Sequence, residues 1–166
     1  NLTMNDTANL IISGGGSFSN NGTFDATAST TGKVSFSGNG TISGTTTFQN
    51  IETSGALNFG TAGTIAKEFT LQPGGSVTAN SPTYLCPAAT LTYNTGGTFS
   101  RSLDWPSVSS GKGFPSNLTV KHSTAINFPM AGSGYVGHDL TFQNCFSLYQ
   151  SFSGASSACN VVGTSG

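Results

Sequence analysis

The fold of this 166-residue chain is decided by the stretch Gly32-Lys33-Val34-Ser35-Phe36-Ser37-Gly38-Asn39-Gly40-Thr41-Ile42-Ser43-Gly44-Thr45-Thr46-Thr47-Phe48. Its residues Phe36, Ile42 and Phe48 stand six positions apart, whereas a helix needs apolar spacings of three and four and one long strand needs strict alternation. Short β-prone pieces surround each apolar residue, and Gly, Asn and Ser separate these pieces. The stretch therefore predicts short strands punctuated by turns.

The six-residue step continues on both sides of this stretch. In the first half it joins three series, which are Ile12, Phe18, Phe24, then Phe36, Ile42, Phe48, then Phe59, Ile65, Leu71, Val77. In the second half it joins Val120 with Ile126 and Phe142 with Leu148. The tetrapeptide at 47–50, Thr-Phe-Gln-Asn, recurs at 141–144. We therefore expect residues 1–166 to form one domain.

A longer period relates pairs of apolar residues. Three pairs follow one another at separations of 24 and then 23 residues, namely Leu10 with Ile12, Val34 with Phe36, and Leu57 with Phe59. This period predicts an all-β fold, a single parallel β-solenoid (β-helix) with coils of about 23–24 residues. Stacking the coils at about 4.8 Å would bury their inward rows in one core. An antiparallel β-sandwich, which also uses many short strands, is the alternative.

The second half of the chain is less regular than the first. All six prolines, all four tyrosines, the single Trp and the three Cys lie from residue 73 onward. Segments 81–87 and 104–113 interrupt the six-residue step and are predicted to be loops. We expect regular coils over 1–80, loop-rich insertions over 81–117, and further coils with a C-terminal cap over 118–166.

Composition and charge exclude several classes of protein. Gly, Ser, Thr and Asn make up 85 of the 166 residues, which argues against helices. Five basic and six acidic residues are spread without runs, so we expect no nucleic acid partner. No apolar run approaches the roughly 20 residues that span a bilayer, so we expect no membrane insertion.

The three cysteines, Cys86, Cys145 and Cys159, allow three single-disulfide pairings. We favour Cys145 with Cys159, because this bond would close a short loop at the C-terminal end, where the last layer of a stack is exposed to fraying. Three buried, reduced thiols are the alternative.

Residues 32–51 resemble repeats of very large secreted and cell-surface adhesin proteins of Bacteroidetes-type bacteria. The segment 91–101, followed by Trp105 and then by 113–120, is similar to the same source. The resemblance covers most of residues 30–145, and it implies export, surface display, and adhesion or fibre formation. Those proteins usually carry many more repeats and end in a sorting domain, which this sequence does not contain. The resemblance therefore implies a secreted, extracellular location.

Few residues suggest a chemical site. The six scattered acids do not form the carboxylate cluster that polysaccharide cleavage requires, so we expect no enzyme and no cofactor. Trp105 beside Asp104 and Arg101 forms a candidate ligand-contact loop for a sugar ring. The alternative is a structural loop, in which Trp105 covers the edge of the core and Asp104 and Arg101 form a surface ion pair. A metal at His122 and His138-Asp139 lacks a third ligand, so no metal site is expected.

Three functions remain after these exclusions. The first is a structural or adhesive surface module that pairs end to end with other copies of itself or contacts other surface proteins. The second is ice binding, because Thr23, Thr47 and Thr70 recur at coil spacing beside inward residues, and Thr41 with Thr64 forms a shorter row. The third is a carbohydrate-binding module that contacts glycans through the Trp105 loop.

Overall fold

The computed structural model describes residues 2–22, 24–26, 29–60, 63–121, 124–128, 134–143, 147–150 and 161–163. These residues form an all-β structure of 19 strands and contain no helix. In chain order the strands are β1 Leu2–Thr3, β2 Asn9–Ile12, β3 Ser17–Asn20, β4 Phe24–Asp25, β5 Lys33–Phe36, β6 Gly40–Gly44, β7 Thr46–Thr53, β8 Ala56–Asn58, β9 Gly63–Leu71, β10 Ser76–Ala79, β11 Thr83–Tyr84, β12 Thr90–Tyr93, β13 Thr98–Ser100, β14 Asn117–Lys121, β15 Ala125–Phe128, β16 Gly134–Val136, β17 Leu140–Gln143, β18 Ser147–Gln150 and β19 Val161–Gly163.

Every pairing between described strands is parallel. An eight-stranded sheet has the order β17-β14-β12-β9-β7-β5-β2, with β11 also paired to β9. A four-stranded sheet has the order β10-β8-β6-β3, and a three-stranded sheet has the order β13-β15-β18. The pairs β1-β4 and β16-β19 complete the set. The antiparallel sandwich is therefore wrong for the described strands.

The chain moves between sheets in a regular order. Strands β2, β5 and β7 belong to the eight-stranded sheet, and β3, β6 and β8 of the four-stranded sheet follow them in turn. A tight hairpin cannot join parallel neighbours, so the chain must visit another sheet before it returns beside its previous strand. Each return adds one strand to the same edge.

The inward side chains form one hydrophobic core that runs from Met4 to Val136. The residues of the six-residue step in the first half lie inside it, as predicted: Phe36, Ile42, Phe48, Phe59, Ile65, Leu71 and Val77 are buried, and Ile12, Phe18 and Phe24 are partly buried against them. In the second half Val120 and Ile126 are also buried, whereas Phe142 is 47% exposed. Full burial of one such side chain stabilises the fold by roughly 1.5–3 kcal/mol.

The separation between paired strands is not the constant 23–24 residues that the sequence predicted. Leu10 pairs with Val34, as expected, but Val34 pairs with Ile51, and Leu57 pairs instead with Gly40 of the four-stranded sheet. The first separation is thus 24 residues and the second 17. Later separations in this sheet reach 27 residues, as between Thr90 and Asn117.

The short second separation follows from the six-residue step itself. If the chain between two paired strands is shorter by about six residues, apolar residues still occupy the inward positions. The apolar pattern alone therefore does not distinguish a separation of 24 residues from one of 17. Within β7 the strict alternation is interrupted, because the buried residues Phe48 and Ile51 are three positions apart. The equivalence of Val34 with Leu57 was therefore wrong.

The predicted loops differ from each other. Segment 81–87 contains β11, in which Tyr84 is buried and pairs with Ile65. Residues 101–116 contain no strand, and the predicted loop 104–113 lies within them.

Candidate functional site

A polar groove of about 440 Å³ lies on the outer face of the eight-stranded sheet. Outward side chains of β5, β7, β9, β12 and β14 line it, and Thr30 and Thr31 of the preceding loop form one wall. Alternation along each strand produces this lining, because Ile51 and Thr53 point into the core and Glu52 between them points outward. We call this feature the polar groove.

Glu52 accepts three hydrogen bonds at one end of the polar groove. Lys33 Nζ donates to Oε2 at 2.8 Å, Ser35 Oγ to Oε1 at 2.7 Å, and Gln72 Nε2 to Oε2 at 3.1 Å. Burial raises the pKa of Glu52, but these three hydrogen bonds and the charge of Lys33 outweigh it, so its pKa lies below the usual value. Glu52 is therefore ionised at neutral pH.

The other polar side chains of the groove continue this network across the strands. Asn94 Nδ2 donates to Gln72 Oε1 at 2.9 Å, so Gln72 bridges Glu52 and Asn94. Thr92 Oγ1 donates to Glu68 Oε1 at 2.7 Å. Among the described residues no second partner of the Glu68 carboxylate occurs, so that carboxylate retains free acceptor capacity.

Contacts between the loop and the sheet hold the wall of the groove in place. Asn50 Nδ2 donates to the carbonyl oxygen of Gly32 at 2.9 Å, and Lys67 Nζ donates to the carbonyl oxygen of Thr30. Thr30 in turn donates its hydroxyl to Asp6. Sequence reasoning missed this site, because its residues come together only through the pairing of β9 with β7 on one side and with β12 on the other.

The structure brings the three residues of the predicted ligand-contact loop together, but in the interior. Trp105 and Asp104 are 0% exposed and Arg101 is 8% exposed. Trp105 Nε1 donates to the Tyr135 carbonyl at 2.8 Å, and Arg101 Nη1 donates to the Trp105 carbonyl at 2.6 Å. A ring with no exposed surface cannot stack on a sugar, so the ligand-contact reading was wrong. Trp105 belongs to the core, and Asp104 and Arg101 are buried with it and not at the surface as the alternative had them.

Asp104 is the centre of this buried cluster. Tyr93 Oη donates to Asp104 Oδ2, the Ser102 amide donates to Oδ1 at 3.0 Å, and Tyr84 Oη donates to the Asp104 carbonyl at 3.1 Å. Burial raises the pKa of Asp104 from 3.8 to about 6, although the Tyr93 hydrogen bond opposes the rise. Burial also raises the pKa of both tyrosines.

The residues considered for a metal site and those predicted to form a disulfide lie partly outside the described residues. His138 and Asp139 are exposed, and His138 Nε2 lies 3.4 Å from Sγ of Cys86, which is an exposed free thiol. No group of three or more metal-binding side chains occurs among the residues that the structure describes. His122, Cys145 and Cys159 lie outside those residues.

The threonine rows differ from the predicted ones. Thr47 is exposed, as expected, but it pairs with Thr64, and Thr64 pairs with Thr83. Thr70 begins a second row, in which the paired residues are Thr70, Thr92, Thr119 and Thr141. Thr41 pairs with Ser17 and Asn58. The predicted rows were therefore wrong where they joined Thr47 with Thr70 and Thr41 with Thr64, whereas Thr23 lies outside the described residues.

Comparisons with known proteins assign no function to this chain. Among the described residues, no helix is both long and apolar enough to span a bilayer. Comparison of the chain with family models, with curated proteins and with solved structures finds no match.

Proposed function

We propose that this chain is an extracellular structural or adhesive module, wound as a parallel β-solenoid and belonging to a cell-surface fibre or large adhesin. The parallel pairing and the regular passage between sheets support the winding. In this proposal the protein is secreted and is not an enzyme. Its partners are other copies of itself, other surface proteins and glycans.

The end of the eight-stranded sheet carries the proposal. Leu140 and Phe142 of β17 pair with Leu118 and Val120, whose side chains are in the core. Yet Leu140 is 36% and Phe142 is 47% exposed. Among the described strands, β17 is the last one of its sheet. An edge strand with apolar side chains at inward positions favours the addition of a further parallel strand. Such head-to-tail contacts extend into fibres when they do not close into rings.

The test is the dependence of assembly on this edge. We expect the wild-type protein to grow in mass with concentration, measured by size-exclusion chromatography with light scattering, and to form filaments in negative-stain electron microscopy. The double variant Leu140→Lys/Phe142→Lys should need at least tenfold higher concentration. Leu85→Lys is the control, because Leu85 is also exposed but does not belong to β17. A wild-type protein that stays monomeric throughout contradicts self-assembly.

Ice binding is the second candidate, and the paired row Thr47, Thr64 and Thr83 favours it. The four-stranded sheet adds an outer face without any charged residue. We expect inhibition of ice recrystallisation that Thr64→Lys abolishes and that Thr98→Lys, outside the row, leaves unchanged. Growth of ice crystals at the rate of buffer with wild-type protein would exclude this function.

A further inference from the structure

We infer that the polar groove binds a neutral, hydroxyl-rich polysaccharide whose chain runs across the strands of the eight-stranded sheet. The inference rests on the proposed adhesive function, because it names the ligand class and the surface that holds it. It assigns carbohydrate binding to the polar groove instead of to Trp105, which is buried.

The shape of the groove favours a linear ligand. Its lining extends from Lys33 on β5 to Lys121 on β14, and these strands are separated by β7, β9 and β12. Four successive strand spacings correspond to roughly 19 Å along the stacking direction. Thr30 and Thr31 of the loop before β5 belong to the same lining. An extended polymer fits this geometry better than a compact metabolite does.

The chemistry of the lining matches sugar hydroxyls. A hydroxyl both donates and accepts hydrogen bonds, and the groove offers both functions at neighbouring positions. Glu68 supplies an acceptor, Thr70 a hydroxyl, and Asn94 and Gln72 amides. No aromatic residue occurs in the described lining, so hydrogen bonds and not ring stacking would carry the recognition.

The existing network also prepares the site for binding. Gln72 is fixed by Glu52 on one side and Asn94 on the other, and Glu68 is fixed by Thr92. Side chains that are already oriented lose less conformational entropy when a ligand binds. The wall is held independently, through Asn50 and Lys67.

The charge distribution favours a neutral ligand over an acidic one. The ammonium group of Lys33 is bound by Glu52 and that of Lys67 by the Thr30 carbonyl. An anionic polymer would also meet the carboxylates of Glu52 and Glu68 within the groove. Repulsion from these two groups would offset the attraction to two of the three lysines in the lining, Lys33 and Lys67, and would leave only Lys121 on β14 uncompensated.

The experiment is affinity electrophoresis of the full chain in gels that contain one polysaccharide each. The neutral set is soluble β-glucan, xylan, mannan and glycol chitin, and the acidic set is alginate and polygalacturonate. We expect retardation by at least one neutral polymer, and weaker or no retardation by the acidic ones. Thr70→Arg, which fills the groove, should weaken binding at least tenfold, and Glu68→Gln about three- to tenfold.

Matched controls separate a loss of binding from a loss of fold. Thr41→Arg places the same side chain on the exposed face of the four-stranded sheet and should bind like the wild type. Each variant should keep the wild-type melting temperature, and Asn94→Ala replaces Thr70→Arg if the latter does not fold. No retardation by any neutral polymer, or binding by Thr70→Arg equal to that of the wild type, overturns the inference. A protein that assembles into fibres but shows either result refutes only the groove inference and not the proposed function.

Discussion

Asp104 is a carboxyl group that folding removes from water, and Tyr93 and the Ser102 amide supply its hydrogen bonds. Because burial disfavours the charged form, its pKa rises on folding from 3.8 to about 6. Stability from this group is therefore fully present below about pH 3.8, falls as pH rises towards 6, and stays low above that.

This dependence can be measured by comparing the wild type with Asp104→Asn. The free energy of unfolding of the wild type, relative to the variant, should fall by about 2 kcal/mol between pH 4 and pH 7, because the amide does not titrate. Urea unfolding at several pH values measures the difference. A difference that does not change with pH would show that folding leaves the pKa of Asp104 unchanged, and it would contradict the burial of this carboxyl group.

Gly44 has a φ of +77°, and a Cβ at this position would collide with the backbone oxygen of Asn20 on the neighbouring strand. We expect Gly44→Ala to lower the free energy of unfolding by about 2 kcal/mol or more, since both the dihedral angle and the close approach disfavour a side chain. Gly97→Ala is the control, because no atom lies within 4 Å of its added Cβ. Equal stability of the two variants, measured by urea unfolding, would contradict the close stacking at Gly44.

Phe rings connect different strands within the core. Phe48 is 0% exposed and packs edge-on against Phe18, with ring centroids 5.4 Å apart. Phe48→Ala should therefore cost about 3–5 kcal/mol, through lost burial and the cavity that remains. Phe142→Ala should cost far less, because Phe142 is 47% exposed. Thermal or urea unfolding of both variants tests this ranking, and a reversed order would mean that the inward row is misassigned.

Burial of individual residues could be predicted from the sequence, but the partners of each strand could not. Alternation within four or five residues decides which side chain points inward, so Phe36, Ile42 and Phe48 were identified correctly. The partner of Val34 depends on the length of chain between the two strands, and the six-residue step leaves that length open. The polar groove was missed for the same reason, since Glu52 and Gln72 are neighbours only through the pairing of β7 with β9.

At the scale of the whole molecule, the state of the three cysteines can be measured, and it tests the predicted cross-link near the C-terminal end. Cys86 is a free thiol in the structure, and we continue to expect a disulfide between Cys145 and Cys159. Peptide mapping by mass spectrometry, without reduction and after alkylation, should find Cys86 alkylated and the other two linked. A linked Cys86 would contradict both expectations at once.

The unequal separations between paired strands have a mechanical consequence. If a tethered chain is pulled apart strand by strand, each rupture releases the residues between two paired strands. Separations of 17 and 27 residues correspond to roughly 60 and 95 Å of extended chain. The protein would therefore lengthen under tension in steps of different size. The size of each step in a force–extension record would identify which pair of strands has separated.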